Sequence, residues 1–222
     1  MLSKLRIQWL LLLVAGLWFL AVLSVGAQAQ APSPEQKIET AMQQLLTTLR
    51  ADPERARAEP AFVLQAIEQE IVPLLDIEGM SRLVLARHWR DATPEQQQRF
   101  TRAFYDTLLH SYGVRLADYL DHEVIMVPRR SRQDERMAVV ATEVVVGRGQ
   151  PNLMINYRLR PVDGEWKVFD VEAEGLSFVG NFRTSFNEVI NQVGLDALIA
   201  RLEAGDRELL EQGMDALLES GG

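Results

Sequence analysis

A strand pattern passes through a glycine turn into a helix pattern in the stretch WKVFDVEAEGLSFVGNFRTSF, residues 166–186. Its first part, from Trp166 to Ala173, is rich in β-forming residues and predicts a strand. Gly175 gives the turn signal, and apolar residues at helical spacing then predict a helix over about residues 181–193. Both elements have an apolar side, so each must pack on other elements supplied by the rest of the chain.

Two further helices begin with the same sequence device. Each start has a hydroxyl residue at the N-cap, proline at the first helical position and glutamine where a capping box needs it: Ser33-Pro34-Glu35-Gln36 and Thr93-Pro94-Glu95-Gln96. The second helix carries an apolar stripe from Phe100 to Tyr119, which predicts about seven turns counted from the helix start at Pro94. The other helices are predicted over 62–71, 77–89 and 195–202, with a break at Pro53.

The helical period gives way to β-rich runs after residue 123. Strands are predicted over 124–127, 137–146, 153–159 and 166–173, separated by turn signals. In the third run Leu153, Ile155 and Tyr157 share one face, which is therefore expected to be buried. The predicted fold class is α+β, with the N-terminal helices packed on one face of an antiparallel four-stranded meander.

The N-terminus has the layout of a secretory signal peptide. Two basic residues precede an apolar run over 10–25, and small residues then offer cleavage near Ala29 or Ala31. The run is shorter than the about 20 residues of a membrane-spanning helix, which favours a cleaved signal over an uncleaved anchor. We expect a signal peptide over 1–29, a single domain over 32–202 and an amphipathic C-terminal tail over 203–222.

The charge balance argues against nucleic acid as a partner. The chain has a net charge of −8, and without Lys4 and Arg6 it has 21 basic and 31 acidic residues, which gives −10. Nucleic acids are bound mainly through Lys and Arg contacts to phosphates, so they would repel so acidic a chain. The absence of cysteine excludes disulfides and a thiol nucleophile. The domain must therefore be held together by its core.

The sequence offers little catalytic chemistry. His88, His110 and His122 are the only histidines, and their spacings match no metal motif. Asp170 is interpreted as the acceptor of a structural hydrogen bond rather than as a catalytic group. We therefore predict that the protein is not an enzyme and has no catalytic residue, no metal site and no cofactor.

Two functional interpretations stay open at this point. One is an enzyme on a cone-shaped α+β scaffold that uses Asp170 or Tyr112 as general acid or base, or a hydrolase assembled from His122, Asp121 and a distant serine. The other is an adaptor that binds only proteins and has a filled core. Apolar periodicity is the same whether the residues fill a core or line a cavity, so the sequence pattern alone cannot decide between these interpretations.

Four motifs resemble those of one known family. They are Trp89-Arg90-x-Ala92-Thr93-Pro94-Glu95-Gln96-x-x-x-Phe100, Trp166-Lys167-Val168-Phe169-Asp170-Val171, Glu174-Gly175-Leu176-Ser177 and Asn181-Phe182-Arg183-x-x-Phe186. In this order, and over nearly the whole chain after the predicted signal peptide, they resemble the MlaC family, also called the toluene-tolerance auxiliary family.

The resemblance implies a soluble phospholipid-binding protein of the periplasm in a Gram-negative envelope. Such a protein shuttles lipids between an outer-membrane lipoprotein–porin complex and an inner-membrane ABC transporter complex, in the Mla pathway that maintains outer-membrane lipid asymmetry. The implied α+β fold encloses an apolar cavity for acyl tails, with the bound phospholipid as cargo. We expect a monomer.

Hiding acyl chains from water requires a large apolar cavity. At about 0.8 kcal/mol per methylene, two chains of some thirty methylenes represent roughly 25 kcal/mol of transfer free energy. The site is therefore expected to be diffuse and to lie between the sheet and the long helix, although ordinary core packing is the competing interpretation for any one residue. The candidate lipid-binding residues are Leu83, Trp89, Phe100, Phe104, Leu108, Val139, Ala141, Leu153, Ile155, Tyr157, Phe169, Val171 and Leu176.

A local cluster of arginines follows the first predicted strand. Arg129, Arg130, Arg132 and Arg136 lie within eight residues of an otherwise acidic sequence. They are candidates for contact with a lipid phosphate or with a partner's acidic surface, and a solvated hairpin loop is the alternative. Arg183 is a further head-group candidate, which an ion pair at a helix start would explain equally well.

Overall fold

The computed structural model of the protein describes residues 31–113, 121–147, 149, 151–206 and 209. The chain divides into two compact units, Met1–Ala31 and Pro32–Gly222, and all but one of the described residues belong to the second. The predicted signal peptide over 1–29 and most of the predicted tail after residue 203 lie outside the described residues. No helix in the described part is long and apolar enough to cross a membrane.

Helices form the N-terminal and C-terminal parts of the described chain, and both predicted capping boxes are confirmed. Ser33 Oγ accepts from Gln36 N at 3.2 Å, and Thr93 Oγ1 accepts from Gln96 N at the same distance. These bonds satisfy backbone donors that a helix start otherwise leaves unpaired. The α-helices are α1 (Pro34–Ala51), α2 (Pro53–Ala58), α3 (Pro60–Glu70), α4 (Ile77–Leu85), α5 (Arg87–Asp91), α6 (Pro94–Leu108), α7 (Phe178–Val193) and α8 (Leu195–Glu203).

The predicted helix over 77–89 is wrong as a continuous element. Ala86 has a φ of +48°, which ends α4 and starts α5 in a new direction. Two tertiary contacts favour the break: Arg87 Nη2 donates to Asn191 Oδ1 of α7 at 3.0 Å, while Trp89 packs into the core between the helices. These contacts override a local sequence that is compatible with one helix.

One short helix and one helix end differ from the prediction. The break expected at Pro53 separates α1 from α2, and α2 itself was not predicted; Asp52 caps it through Arg55 N, and proline suits its first position. The long helix is α-helical only to Leu108 and continues as a π-helix over Leu109–Gly113. Gly113 lies so close to Leu64 of α3 that a Cβ would approach it to 2.9 Å, so the π-helix packs tightly against α3 at this residue. The predicted turns over 114–119 lie outside the described residues.

The strands form one antiparallel sheet, and the predicted α+β class is confirmed. The strands are β1 (Glu123–Met126), β2 (Arg132–Gln133), β3 (Ala138–Val145), β4 (Leu153–Val162), β5 (Glu165–Ala173) and β6 (Leu176–Ser177). The predicted number of four is wrong: the sheet has six strands in the order β1-β3-β4-β5-β6, with β2 also paired to β3. The two additional strands have only two residues each, which is too short to produce a readable alternation.

One face of the sheet packs against α1 and is called the α1 face. Its buried residues Ala138, Leu159 and Val168 are neighbours across three strands, and Ile38 of α1 packs on them. Val140 lies in the next row, opposite Tyr157. The α1 face therefore holds a small core between the sheet and the first helix.

A separate core lies among helices α4 to α8. Phe100 and Phe104 of α6 stack at 5.6 Å, and Phe182 and Phe186 of α7 meet them edge to face at centroid distances of 5.5 to 6.1 Å. All four rings are fully buried. Such aromatic pairs add to the free energy of area burial, so this cluster anchors α6 to α7.

A substitution at Gly79 is expected to test the junction between α4 and the sheet. Asp76 caps α4 by accepting from Gly79 N at 2.9 Å, and its other oxygen accepts from Arg160 Nε of β4 at 2.7 Å. A Cβ at residue 79 would collide with both side chains. Gly79→Ala should lower the free energy of unfolding by about 1 kcal/mol, because overpacking outweighs the better helix propensity of alanine.

Urea denaturation of Gly79→Ala, Arg160→Ala and the double variant measures this effect. The cost of the added methyl group should shrink in the Arg160→Ala background, where one of the colliding side chains is gone. An equal cost in both backgrounds would show that the collision with Arg160 is not its cause.

Candidate functional site

Five of the predicted lining residues share the α1 face beyond its buried core. Tyr157 lies opposite Val171, Ile155 lies opposite Ala173, and Ala173 lies opposite Leu176. Leu153 is two residues before Ile155 on the same strand and so faces the same side. All five are only partly buried. The sheet thus extends an apolar surface past the region where Ile38 covers it.

An open cleft of about 470 Å³ lies beside this surface, between α1 and β1. Neighbouring residues along the sheet and along α1 link the lining of the cleft to the partly buried residues. Along the sheet, Val124 in the cleft lies opposite Val144, which lies opposite Leu153. Along α1, Leu46 in the cleft is one turn from Met42, whose Sδ accepts from the Tyr157 hydroxyl at 3.4 Å. The cleft residues are Gln43, Leu46, Thr47, Arg50, Asp121, Glu123 and Val124.

The rim of the cleft is polar and carries both signs of charge. Arg50 donates to the carbonyl of His122 at 3.0 Å, and Asp121 pairs with Arg57 of α2 at 2.8 Å. These contacts tie the residues before β1 to α1 and α2. The volume is within the roughly 300–1,000 Å³ typical of ligand pockets, and an apolar floor with a polar rim suits an amphipathic ligand.

Tyr157 lies where the buried core of the α1 face meets the partly exposed residues. Burial raises the pKa of its phenol above the ordinary value of 10.0, because the phenolate would lose its hydration. The side chain therefore stays neutral over the physiological pH range. It contributes an apolar ring and a weak hydrogen bond to sulfur rather than a charge.

The predicted lining residues on helices do not meet the α1 face. Phe100 and Phe104 are fully buried against Phe182 and Phe186. Trp89 belongs to the same core, and Leu83 and Leu108 pack against it. The structure places these five residues among helices rather than between the sheet and α6. They form the packing of the helical core, while the cleft lies along α1.

The remaining predicted lining residues lie on the opposite face of the sheet. Val139 and Ala141 alternate with Val140 and are buried there. Simple alternation along a strand would place Phe169 on the face of Val171, but a β-bulge pairs Arg158 with Asp170 and Leu159 with Val168, so Phe169 is the extra residue. Its ring meets the guanidinium groups of Arg158 and Arg160 at 5.4 and 5.6 Å.

Asp170 makes the structural hydrogen bonds predicted for it. Its carboxylate is 2% exposed and accepts from Ser177 Oγ at 2.7 Å and from Val179 N at 3.0 Å. Arg158 Nη1 lies 3.4 Å from Asp170 Oδ2. Two bonds of Asp170 thus go to the start of α7, where a negative charge is favoured by the helix dipole. Both carboxylate oxygens are engaged in holding β5 to α7.

The candidate arginines lie away from the cleft. Arg129, Arg130, Arg132 and Arg136 are exposed in and beside β2, and Arg132 lies opposite Val139. Val144, beside the cleft, is five residues further along β3, or about 17 Å at 3.3 Å per residue. Arg183 is exposed on α7, and no carboxylate of the described residues lies within 4.0 Å of it.

Several of the residues considered for catalysis make separate local contacts. His88 Nε2 lies 3.0 Å from Asn187 Oδ1, and His110 Nδ1 lies 2.8 Å from the carbonyl oxygen of Asp106. Asp121 is exposed and paired with Arg57. The side chain of Tyr112 lies outside the described part of the structure. In that part, no three His, Asp or Glu side chains are grouped so that they could hold a metal ion.

Two comparisons by sequence relate the chain to known proteins. A family model described as MlaC protein matches residues 39–204. The toluene tolerance protein ttg2D of Pseudomonas putida is 29% identical over 197 residues, which cover 88% of this chain and 87% of that protein. The intermembrane phospholipid transport system binding protein MlaC of Haemophilus influenzae is 19% identical over 173 residues, covering 77% and 81% of the two chains.

A comparison by structure gives a related result. The phospholipid-binding protein from Ralstonia solanacearum, solved in complex with a phospholipid, superimposes with a TM-score of 0.71 and 28% sequence identity. The match covers 81% of this chain and 99% of that chain. The fold described above is therefore shared over almost the full length of a solved lipid-binding protein.

Proposed function

The chain belongs to the MlaC family, and from this premise we propose that it is a periplasmic phospholipid carrier. It exchanges lipids between an inner-membrane ABC transporter complex and an outer-membrane lipoprotein–porin complex, and so maintains outer-membrane lipid asymmetry. The phospholipid is cargo, and the chain performs no catalysis on it. The phospholipid in the R. solanacearum protein, which has a similar fold, supports this assignment.

The observation that carries the proposal is the partly buried apolar surface on the α1 face beside an open cleft. An ordinary core would cover Leu153, Ile155 and Val171 completely, whereas these side chains keep part of their surface exposed. Because exposed apolar area is unfavourable in water, such a surface suits a ligand that buries it. Acyl chains supply the required apolar area, and the charged rim of the cleft suits a head group.

Exchange, rather than pumping, is the mechanism that these residues support. A surface of leucine, isoleucine and valine is nearly as apolar as a bilayer interior, so transfer of a lipid between the two is close to balanced. The sequence contains no nucleotide-binding loop, and energy must come from the transporter complex. Apolar burial is non-directional and requires no specific hydrogen-bond partners, so the carrier should tolerate a range of tail lengths.

Native mass spectrometry of the protein purified without detergent tests the proposal directly. We expect a mass excess equal to a phospholipid in near-stoichiometric amount, and solvent extraction should recover that lipid. A bare polypeptide mass, with no uptake from added phospholipid vesicles, would instead support an adaptor with a filled core. Replacement of the bound lipid by an isotope-labelled phospholipid from added vesicles would establish exchange without an energy source.

A further inference from the structure

Four exposed arginines lie close together in one segment of this acidic protein. The arginine segment, residues 129–136, contains four arginines together with Asp134 and Glu135, which gives a net charge of +2. The rest of the chain then carries −10, since the total is −8. A second stretch, residues 82–90, carries a net charge of +3, but Arg82 in that stretch is paired with Glu78.

The arginines of this segment also differ from most other arginines of the described residues. In the described part of the chain, none of the four guanidinium groups lies within 4.0 Å of a carboxylate. Other arginines do form such ion pairs within the molecule. They are Arg55, Arg57, Arg82, Arg99, Arg158, Arg160 and Arg201.

The backbone of the arginine segment is held in place by two side chains. Ser131 Oγ accepts from Ala141 N of β3 at 3.1 Å and donates to the Val127 carbonyl at 3.4 Å. Asp134 Oδ1 accepts from the backbone N–H groups of Arg136 and Met137 at 2.7 and 2.8 Å. These two bonds hold the pKa of Asp134 below its usual range. Because the backbone is already ordered, docking would cost little conformational entropy there.

We propose that the arginine segment docks onto an acidic protein surface of one of the membrane complexes that exchange lipid with this carrier. The inference rests on the proposed function for the identity of the partner and on the charge pattern for its chemistry. Guanidinium groups bind carboxylates with directed hydrogen bonds, and complementary charge accelerates association. The segment is about 17 Å from the cleft along β3, so docking there leaves the cleft uncovered.

A protein surface fits the segment better than an anionic bilayer does. Binding to anionic lipids typically uses clusters of about 4 to 8 basic residues that lie against the membrane together. Here two acidic residues reduce the charge of the segment to +2, and a bilayer would repel the −10 on the rest of the chain. A protein partner can place its carboxylates opposite individual arginines and avoid the acidic surface elsewhere.

The test compares two double variants with the same loss of charge. The docking variant is Arg129→Gln and Arg130→Gln, and the control variant is Arg90→Gln and Arg102→Gln. The control arginines are also exposed and, among the described residues, have no carboxylate within 4.0 Å. Binding of each lipid-loaded protein to the immobilised transporter complex and to the lipoprotein–porin complex is measured at low and high salt.

At low salt the docking variant should bind at least one complex about tenfold more weakly than the wild type, with the control variant within about twofold. Most of the difference should disappear at high salt, because the Debye length shortens. Equal affinity of the docking variant and the wild type for both complexes, or no binding of the wild type to either, overturns the proposal.

A second outcome would contradict docking to a protein surface and indicate that the arginine segment binds the membrane instead. In that case the docking variant binds the complexes normally but no longer binds vesicles of phosphatidylethanolamine and phosphatidylglycerol. Phospholipid content is measured for all three proteins. A lipid-free wild type contradicts the carrier function itself, whereas lipid in all three proteins with unchanged docking contradicts only the role of the arginine segment.

Discussion

Replacement of Asp170 by alanine is expected to lower the free energy of unfolding by about 3 kcal/mol, because it leaves buried hydrogen-bond donors unpaired. The carboxylate accepts from Ser177 Oγ and from Val179 N, the latter within the first turn of α7. It also neutralises part of the charge of Arg158. Since the side chain of Arg158 stays 37% exposed, water can hydrate it, and most of the cost comes from the two donors.

Glu172 provides a matched control on the same strand. Its carboxylate accepts one hydrogen bond, from Asn156 Nδ2 at 3.1 Å, and it is partly exposed. Glu172→Ala should therefore cost less than about 1 kcal/mol. Ser177→Ala should lie between the two, because Ser177 donates to Asp170 and also caps α7 through Gly180 N at 2.9 Å.

Urea denaturation followed by circular dichroism gives the three free energies. Equal midpoints for Asp170→Ala and Glu172→Ala would show that Asp170 is not the link between β5 and α7. Should Asp170→Ala fail to fold, Ser177→Ala still separates the interpretations, since it removes one of the bonds and keeps the charge. A catalytic role predicts a different pattern, in which Asp170→Ala loses an activity at unchanged stability.

Local signals in the sequence predicted several features to within a residue. The capping boxes at Ser33 and Thr93 require only neighbours along the chain, and both helices begin where they were predicted. The alternation from Leu153 to Tyr157 likewise placed three side chains on one face, because successive side chains of a strand point to opposite faces of the sheet. Such features depend on interactions within about four residues, which a sequence displays directly.

Features set by distant contacts could not be predicted in the same way. Phe169 lies on the face of Asp170 because the pairing of β4 with β5 has an extra residue, and no local pattern marks that bulge. The apolar stripe of α6 that includes Phe100 packs against α7 rather than against the sheet, and contacts between residues distant in sequence determine this packing. For the same reason Leu46 and Val124, although apolar in sequence, were not recognised as neighbours in one cleft.

Filling the cleft is expected to abolish most lipid loading, and β1 offers a matched pair of positions for the experiment. Val124 and Ile125 are consecutive, so they face opposite sides of the sheet. Val124 lines the cleft, whereas Ile125 is 41% exposed outside it. Tryptophan suits a strand at either position, so the two variants should differ little in folding.

Val124→Trp should retain less than about a tenth of the phospholipid that copurifies with the wild type, because overpacking an apolar site costs about 1 to 3 kcal/mol. Ile125→Trp should retain wild-type amounts, because its ring extends into solvent. Lipid extracted per mole of protein is the measurement, with thermal unfolding as the check that both variants fold. Equal loading of the two variants would mean that acyl chains do not use the cleft between α1 and β1. The carrier function would then need another route to the apolar surface of the α1 face, and Leu153 and Ile155 would be the next positions to substitute.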